Sequence, residues 1–337
     1  MKIYYQYSTL KTLSPTSGDQ VNEIGTLMAL SKFAKVYFAG QLFHPDRPSY
    51  GLKNYVGDIQ IKPGCDWYII RANERVFRKC KGKRVWMSSP FVKDCFVEAD
   101  QIGTFTGVWA EGLRRGENMG VLNPDQEKWP TAVPLYQTVL PQYKDMRGSV
   151  RAQQIRDKLG GTVIVGIFGR ITKPSYPELI LQSMPLLRER IPGFRVVLAI
   201  TTNKVCEIPP TDDVIVTRFP YDDMPYALSA CNVIAPANHE WGWQFSGAMR
   251  VIEPMTCNTP VLCQKSPARI EMLGESYPYY MDSMADLSLS NQQRLVELIQ
   301  RASKRDGLSD DYLSRRARFY SVEESAKRLQ ELLTQQS

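Results

Sequence analysis

Thr162-Val163-Ile164-Val165-Gly166-Ile167-Phe168-Gly169-Arg170-Ile171-Thr172-Lys173 is the stretch whose reading sorts the fold. From Thr162 to Phe168 it is almost continuously apolar, the pattern of a strand buried on both faces of a parallel sheet. A glycine, an arginine and a lysine then close it. Glycine permits close backbone approach, and cations at the carboxyl end of a strand can grip a diphosphate. A strand-end turn with two solvated cations reads the same residues as well. No GxGxxG fingerprint occurs in the chain, which speaks against a dinucleotide-dependent dehydrogenase.

Working outward, strand and helix signals alternate, as βαβ units require. Downstream, Glu178 to Arg190 reads as one helix ending before Pro192-Gly193. Arg195 to Ile200, Val214 to Thr217, Val233 to Pro236 and Pro260 to Cys263 read as strands. Upstream, Val150 to Leu159 reads as a helix, and residues 117–148, rich in Pro, Gly, Asn and Gln, carry little periodicity. Before them lie the strand signals Lys2 to Tyr7, Lys35 to Ala39, Trp67 to Ile70 and Arg84 to Met87, with an amphipathic helix over about 19–33. The chain of 337 residues fits two domains of ordinary size. We place them at 1–147 and 148–320, with a closing helix over 321–337 returning to the first.

Composition excludes several classes. Hydrophobic residues make up 43% and charged residues 23%, as in globular proteins. No apolar run approaches the length of a membrane-spanning helix, and the polar start Met1 to Tyr7 is unlike a signal-peptide core. Seven scattered cysteines without a CxxC pair suggest neither a disulfide framework nor a zinc site, so a reducing cytoplasm is expected. The net charge of +7 admits solvated faces, diphosphate ligands or peripheral contact with an anionic membrane. No zinc-finger or RNA-recognition signature supports a nucleic-acid partner.

A second chemical stretch is Glu253-Pro254-Met255-Thr256-Cys257-Asn258-Thr259-Pro260-Val261. An acid beneath a strand can accept both hydroxyls of a ribose, or it can simply favour a helix N-terminus. Just upstream, Ser246-Gly247-Ala248 resembles a helix start with free N–H groups for phosphate. Pro254 would remove one backbone hydrogen bond from that helix and kink it near residue 250.

These residues carry a resemblance. Gly169-Arg170 with Lys173 resembles the diphosphate motif of the large retaining GT4 family of glycosyltransferases. Glu253 to Val261 is similar to that family's Glu-Ala-Met-Ala-Cys-Gly-Thr-Pro-Val at six of nine positions. Arg218-Phe219 followed by Met224 to Val233 resembles its strand, helix and strand, and Ser266 to Glu271 lies where a loop and a glutamate follow. Arg318 to Ala326 resembles the opening of its closing helix. The match is good over about 150–337, and before residue 115 it is one of pattern only.

The resemblance implies an α/β GT-B fold, two Rossmann-like domains with mostly parallel sheets facing a cleft. It implies hexosyl transfer from a nucleoside diphosphate sugar to a hydroxyl of a glycan or other acceptor, with retention. GDP-mannose is the favoured donor, because mannosyl transfer is common in the family, with a UDP-sugar as the alternative. Glu253 would hold the ribose, Arg170 and Lys173 the departing diphosphate, and backbone near Arg218 and Phe219 the base. Gly18 would let backbone amides approach the phosphates, if it is more than a turn glycine, and Asp19 could reach donor or acceptor. No Asp-x-Asp motif is present, so neither metal nor other cofactor is expected.

Three departures stand out. The family's first glutamate, eight positions before Glu253, would fall at 245, which is Phe; the nearest candidate is Glu240 in His239-Glu240-Trp241-Gly242-Trp243. Glu240 is then either a hexose-hydroxyl acceptor or a surface-loop acid, with Gln244 and Arg250 next in line for the sugar. The family's first-domain histidine has no counterpart: Arg71, Ser88 and Ser89 occupy the strand ends, and His44 reads as solvated. The interval from Arg170 to Lys173 is also short. A non-catalytic nucleotide-sugar or glycan-binding protein remains the alternative class, and a homodimer is admitted.

Overall fold

The computed structural model describes residues 1–7, 12–13, 18–42, 55–57, 60–71, 74–87, 99, 101–104, 110–111, 131–169, 177–200, 211–235 and 249–335. They divide into two compact units, one holding residues up to Leu140 and from Phe319 onward, the other most of Pro141 to Arg318.

The first unit is built on seven parallel strands: β1 (Lys2–Tyr7), β2 (Lys35–Phe38), β3 (Tyr55–Val56), β4 (Trp67–Arg71), β5 (Lys83–Met87), β6 (Gln101–Thr104) and β7 (Thr131–Pro134). Their order is β3-β2-β1-β4-β5-β6-β7. The order reverses between β1 and β4, which is where open parallel sheets hold ligands, outside the carboxyl ends of the strands. Every residue of β4 is buried, as a strand covered on both faces should be. Helix α1 (Gly18–Ser31) packs on helix α11 (Val322–Thr334), and the one-turn helix α2 (Glu74–Phe77) lies between β4 and β5. Ser321 caps α11 by accepting the Glu324 amide, and Trp67 Nε1 donates to the Leu333 carbonyl at 3.2 Å.

The second unit repeats the theme. Its four-stranded parallel sheet runs β10 (Val214–Thr217), β9 (Phe194–Ile200), β8 (Val163–Gly169), β11 (Val233–Ile234). Here the order turns between β8 and β11, so Gly169 ends the strand beside the switch. Helices α3 (Val150–Leu159), α6 (Met224–Ala230), α7 (Met249–Thr256), α8 (Pro267–Leu273), α9 (Leu289–Lys304) and α10 (Tyr312–Ala317) belong to this unit.

Two expected elements differ. The helix foreseen over 178–190 is broken into α4 (Glu178–Gln182) and α5 (Met184–Arg190). Pro185 has no N–H for the Leu181 carbonyl, so the ladder cannot run through. The strand foreseen over 260–263 is reduced to a bridge from Val261 to Ile234 and a short pair, β12 (Cys263–Gln264) with β13 (Tyr280–Met281). Buried Tyr277 brackets Val261, donating to its carbonyl at 2.8 Å and accepting its amide at 2.7 Å.

Candidate functional site

β8 delivers the site. Gly166 is required inside the sheet, because a β-carbon there would stand 2.5 Å from Phe168 and 2.7 Å from Ile234. Gly169 ends the strand with φ +117°, a conformation that suits glycine. A β-carbon on it would stand 2.8 Å from Arg250 Nε, so the guanidinium of Arg250 lies directly on this glycine. Phe168, buried, stacks on Phe219 with centroids 6.0 Å apart and planes 17° apart, while Arg218 beside it is exposed.

α7 supplies Arg250 and, one turn on, Glu253. Pro254 lies inside this helix without ending it, lacking the N–H that would reach the Arg250 carbonyl. The helix stops at Asn258, φ +56°, whose amide bonds the Met255 carbonyl while Thr259 N bonds that of Pro254. Such left-handed C-caps take Gly or Asn, which explains how Asn258 stands where the resembled motif has glycine. Asn258 also donates to Asp145 at 3.2 Å and to the Asp310 carbonyl at 3.0 Å.

Glu253 is only 9% exposed. Burial pushes its carboxyl up to about 8, against the pull of a hydrogen bond donated by the Tyr143 hydroxyl and the charge of Arg250. Tyr143 is itself fully enclosed, its ring 6.1 Å from that of Tyr221, whose hydroxyl accepts from Gln142 at 3.3 Å. Burial raises Tyr143 well above its ordinary value, so it stays a donor. A carboxyl kept largely protonated by burial, bonded by Tyr143 and near the charge of Arg250, suits a ligand whose hydroxyls would stabilise its ionised form.

Glu253, Arg250, Gly169, Phe219 and Arg218 thus lie in the same unit, and Gly169 and Arg250 touch. Gly18 is the first residue of α1, in the other unit. Arg170, Lys173, Glu240, Ser246 and Gly247 lie outside the described residues, as do Ser88, Ser89, His44 and Gln244. Tyr143 was missed by sequence reasoning; it sits in the aperiodic stretch 117–148, where no pattern marks it. Among the described residues no three His, Cys, Asp or Glu side chains converge as metal ligands.

Two polar clusters lie elsewhere. In the first unit, Tyr7 and Arg71 pair side by side at the ends of β1 and β4, the guanidinium 5.0 Å from the Tyr7 ring. Arg71 and the Tyr5 hydroxyl both donate to Glu23 of α1, a fully buried acid that sequence reasoning also missed. In the second unit, a cavity of about 240 Å³ is lined by Arg147, Arg156 and Arg305. Arg156 donates to the Ala230 carbonyl at 2.7 Å and Arg305 to that of Asn258 at 2.8 Å. Arg156 and Arg305 are thus taken up at helix ends and Arg147 in an ion pair with Asp145, and the cavity is lined by none of Gly169, Phe219, Arg250 and Glu253.

Solved structures resemble the chain over nearly its whole length. Sucrose-phosphate synthase from Thermosynechococcus elongatus matches with a TM-score of 0.69 at 13% identity, covering 99% of this chain and 98% of that one. Anabaena HepE, solved in complex with UDP-glucose, matches at 0.65 and 12%, covering 99% and 100%. AviGT4, a glycosyltransferase involved in avilamycin A biosynthesis, matches at 0.61 and 14%, covering 99% and 98%. No model of a known protein family matches the sequence, and no curated protein matches it. The chain has the GT-B fold of these structures.

Proposed function

We propose that the protein is a glycosyltransferase that moves a hexose from a nucleoside diphosphate sugar to a hydroxyl acceptor with retention of configuration. The observation that carries this reading is the glycine-ended strand β8 with Arg250 laid on Gly169 and the buried Glu253 one helical turn away. Glu253 would accept the ribose hydroxyls, Arg250 would lie beside the diphosphate or sugar, and Phe219 and Arg218 would border the base. Arg170 and Lys173, which follow Gly169 in the chain, would stabilise the leaving diphosphate, and Glu240 would hold the hexose. Arg250, Arg170 and Lys173 would supply fixed positive charge against the negative charge that develops on the leaving group, which is the main lever of such a reaction. HepE was crystallised with UDP and with UDP-glucose, and this favours a UDP-hexose over GDP-mannose as the first donor to test.

Cations from the protein would make a divalent metal unnecessary. Donor hydrolysis without acceptor, followed in excess EDTA, is expected to proceed at the rate seen without chelator. Complete loss with rescue by Mn²⁺ would contradict this account of the diphosphate.

A further inference from the structure

The amino-terminal edge of the first unit's sheet, opposite the carboxyl ends of its strands, is rich in lysine. Lys35 begins β2, Lys2 is aligned with it at the start of β1, and Lys83, aligned with Trp67, begins β5. The loop before β4 adds Lys62, and the turn before β5 adds Lys79 and Lys81. Among the described residues, these strand starts and turns carry the six lysines, Arg78 and one acid, Asp66, which accepts the Lys2 amide at 2.7 Å. Adjacent strands lie about 5 Å apart, within the screening length of about 8–10 Å at ordinary ionic strength, so neighbouring charges act together.

The lysine stems are held rather than loose. Lys35 and Lys62 both place their ammonium groups over the Tyr37 ring, at 5.5 and 5.6 Å, and Lys83 lies 5.4 Å over that of Trp67. The aromatic rings beneath are buried, so the edge offers ammonium groups and no stacking platform. Lysine is a hydrated point charge without the fixed fork of arginine, which suits a diffuse anionic surface better than a defined phosphate. No helix among the described residues is long and apolar enough to cross a membrane.

We infer that this lysine edge docks the protein on a bilayer rich in anionic headgroups. Attraction to such a surface grows with each added lysine and fades in salt. The inference does not depend on the donor reading, since the residues belong to the other unit.

Vesicle sedimentation tests it. The protein is expected to sediment with vesicles of equal phosphatidylglycerol and phosphatidylcholine in about 0.1 M salt, not with pure phosphatidylcholine, and to be released by about 0.5 M salt. The variant Lys35→Glu/Lys62→Glu/Lys81→Glu is expected to lose more than about 100-fold in partitioning. Reversing Lys158, Arg190 and Lys304, exposed residues of the second unit, changes net charge equally and is expected to cost less than about tenfold. If the first triple does not fold, the three Lys→Gln changes serve in its place, with an expected loss of at least about tenfold. Absence of binding to the anionic vesicles, or equal losses in both triples, would overturn the inference. So would binding of a single-stranded DNA oligonucleotide through these lysines without vesicle binding.

Discussion

Glu253→Gln is expected to weaken binding of a free nucleoside diphosphate about tenfold near pH 7 and toward a hundredfold near pH 9. A charge-assisted hydrogen bond contributes about 1.5–3 kcal/mol, which sets the upper figure. The pH dependence follows from burial, which keeps the carboxyl protonated up to about 8 in the free protein. Ribose hydroxyls donate to the ionised form, so below that value binding must first remove a proton. Wild-type affinity is therefore expected to rise with pH toward 8, by up to about tenfold per unit, and the Gln variant to lack this rise. Titration of the nucleotide's own phosphate affects both proteins alike and cancels in their ratio.

The same carboxyl has the opposite effect on stability. In the unfolded chain it ionises near its ordinary 4.5, so between that value and about 8 the native state holds the extra proton. Stability falls as pH rises through this window and levels above it. Glutamine is neutral throughout, so the variant should melt above the wild type at pH 8.5, by about 2–4 °C per kcal/mol relieved, and close to it at pH 5. A variant that binds worse and melts higher would mark Glu253 as a group kept for its ligand. Loss of both properties would make it structural.

Gly169→Ala is the second large effect. A side chain at φ +117° is strained by about 1–3 kcal/mol, and its β-carbon would press on Arg250. Gly160 supplies the control: its φ is +64°, with nothing within 4 Å of an added β-carbon. Gly160→Ala, at ψ 177° also in a region nearly reserved for glycine, should cost a similar amount, about 1–3 kcal/mol of stability, but leave nucleotide binding alone. Gly169→Ala should also lower nucleotide affinity, by about tenfold if Arg250 is displaced from a charge-assisted contact. Equal affinity in the two variants would remove Gly169 and Arg250 from the binding site.

Thr162 to Phe168 was legible because a doubly buried apolar run is decided locally. Glu253 to Val261 was singled out by its resemblance to a family motif, and the helix stop at Asn258, where only a residue tolerant of left-handed backbone fits, was not foreseen. The break at Ser183 was missed although Pro185 marks it, because the apolar pattern continues on both sides. Tyr143 and Glu23 were not legible. Their roles come from contacts 110 and 48 positions away along the chain, with Glu253 and Arg71, and no local pattern encodes them. The Gly169–Arg250 contact falls between, since each residue was named but only the folded β8–α7 arrangement joins them.

Calorimetric titration with UDP-glucose, GDP-mannose and ADP-glucose, in wild type and Glu253→Gln, tests the central claim most directly. The account predicts saturable binding of at least one of the three, weakened at least about tenfold by the substitution at pH 8. Absence of binding by all three, or binding indifferent to Glu253, would contradict a nucleotide-sugar site at the end of β8.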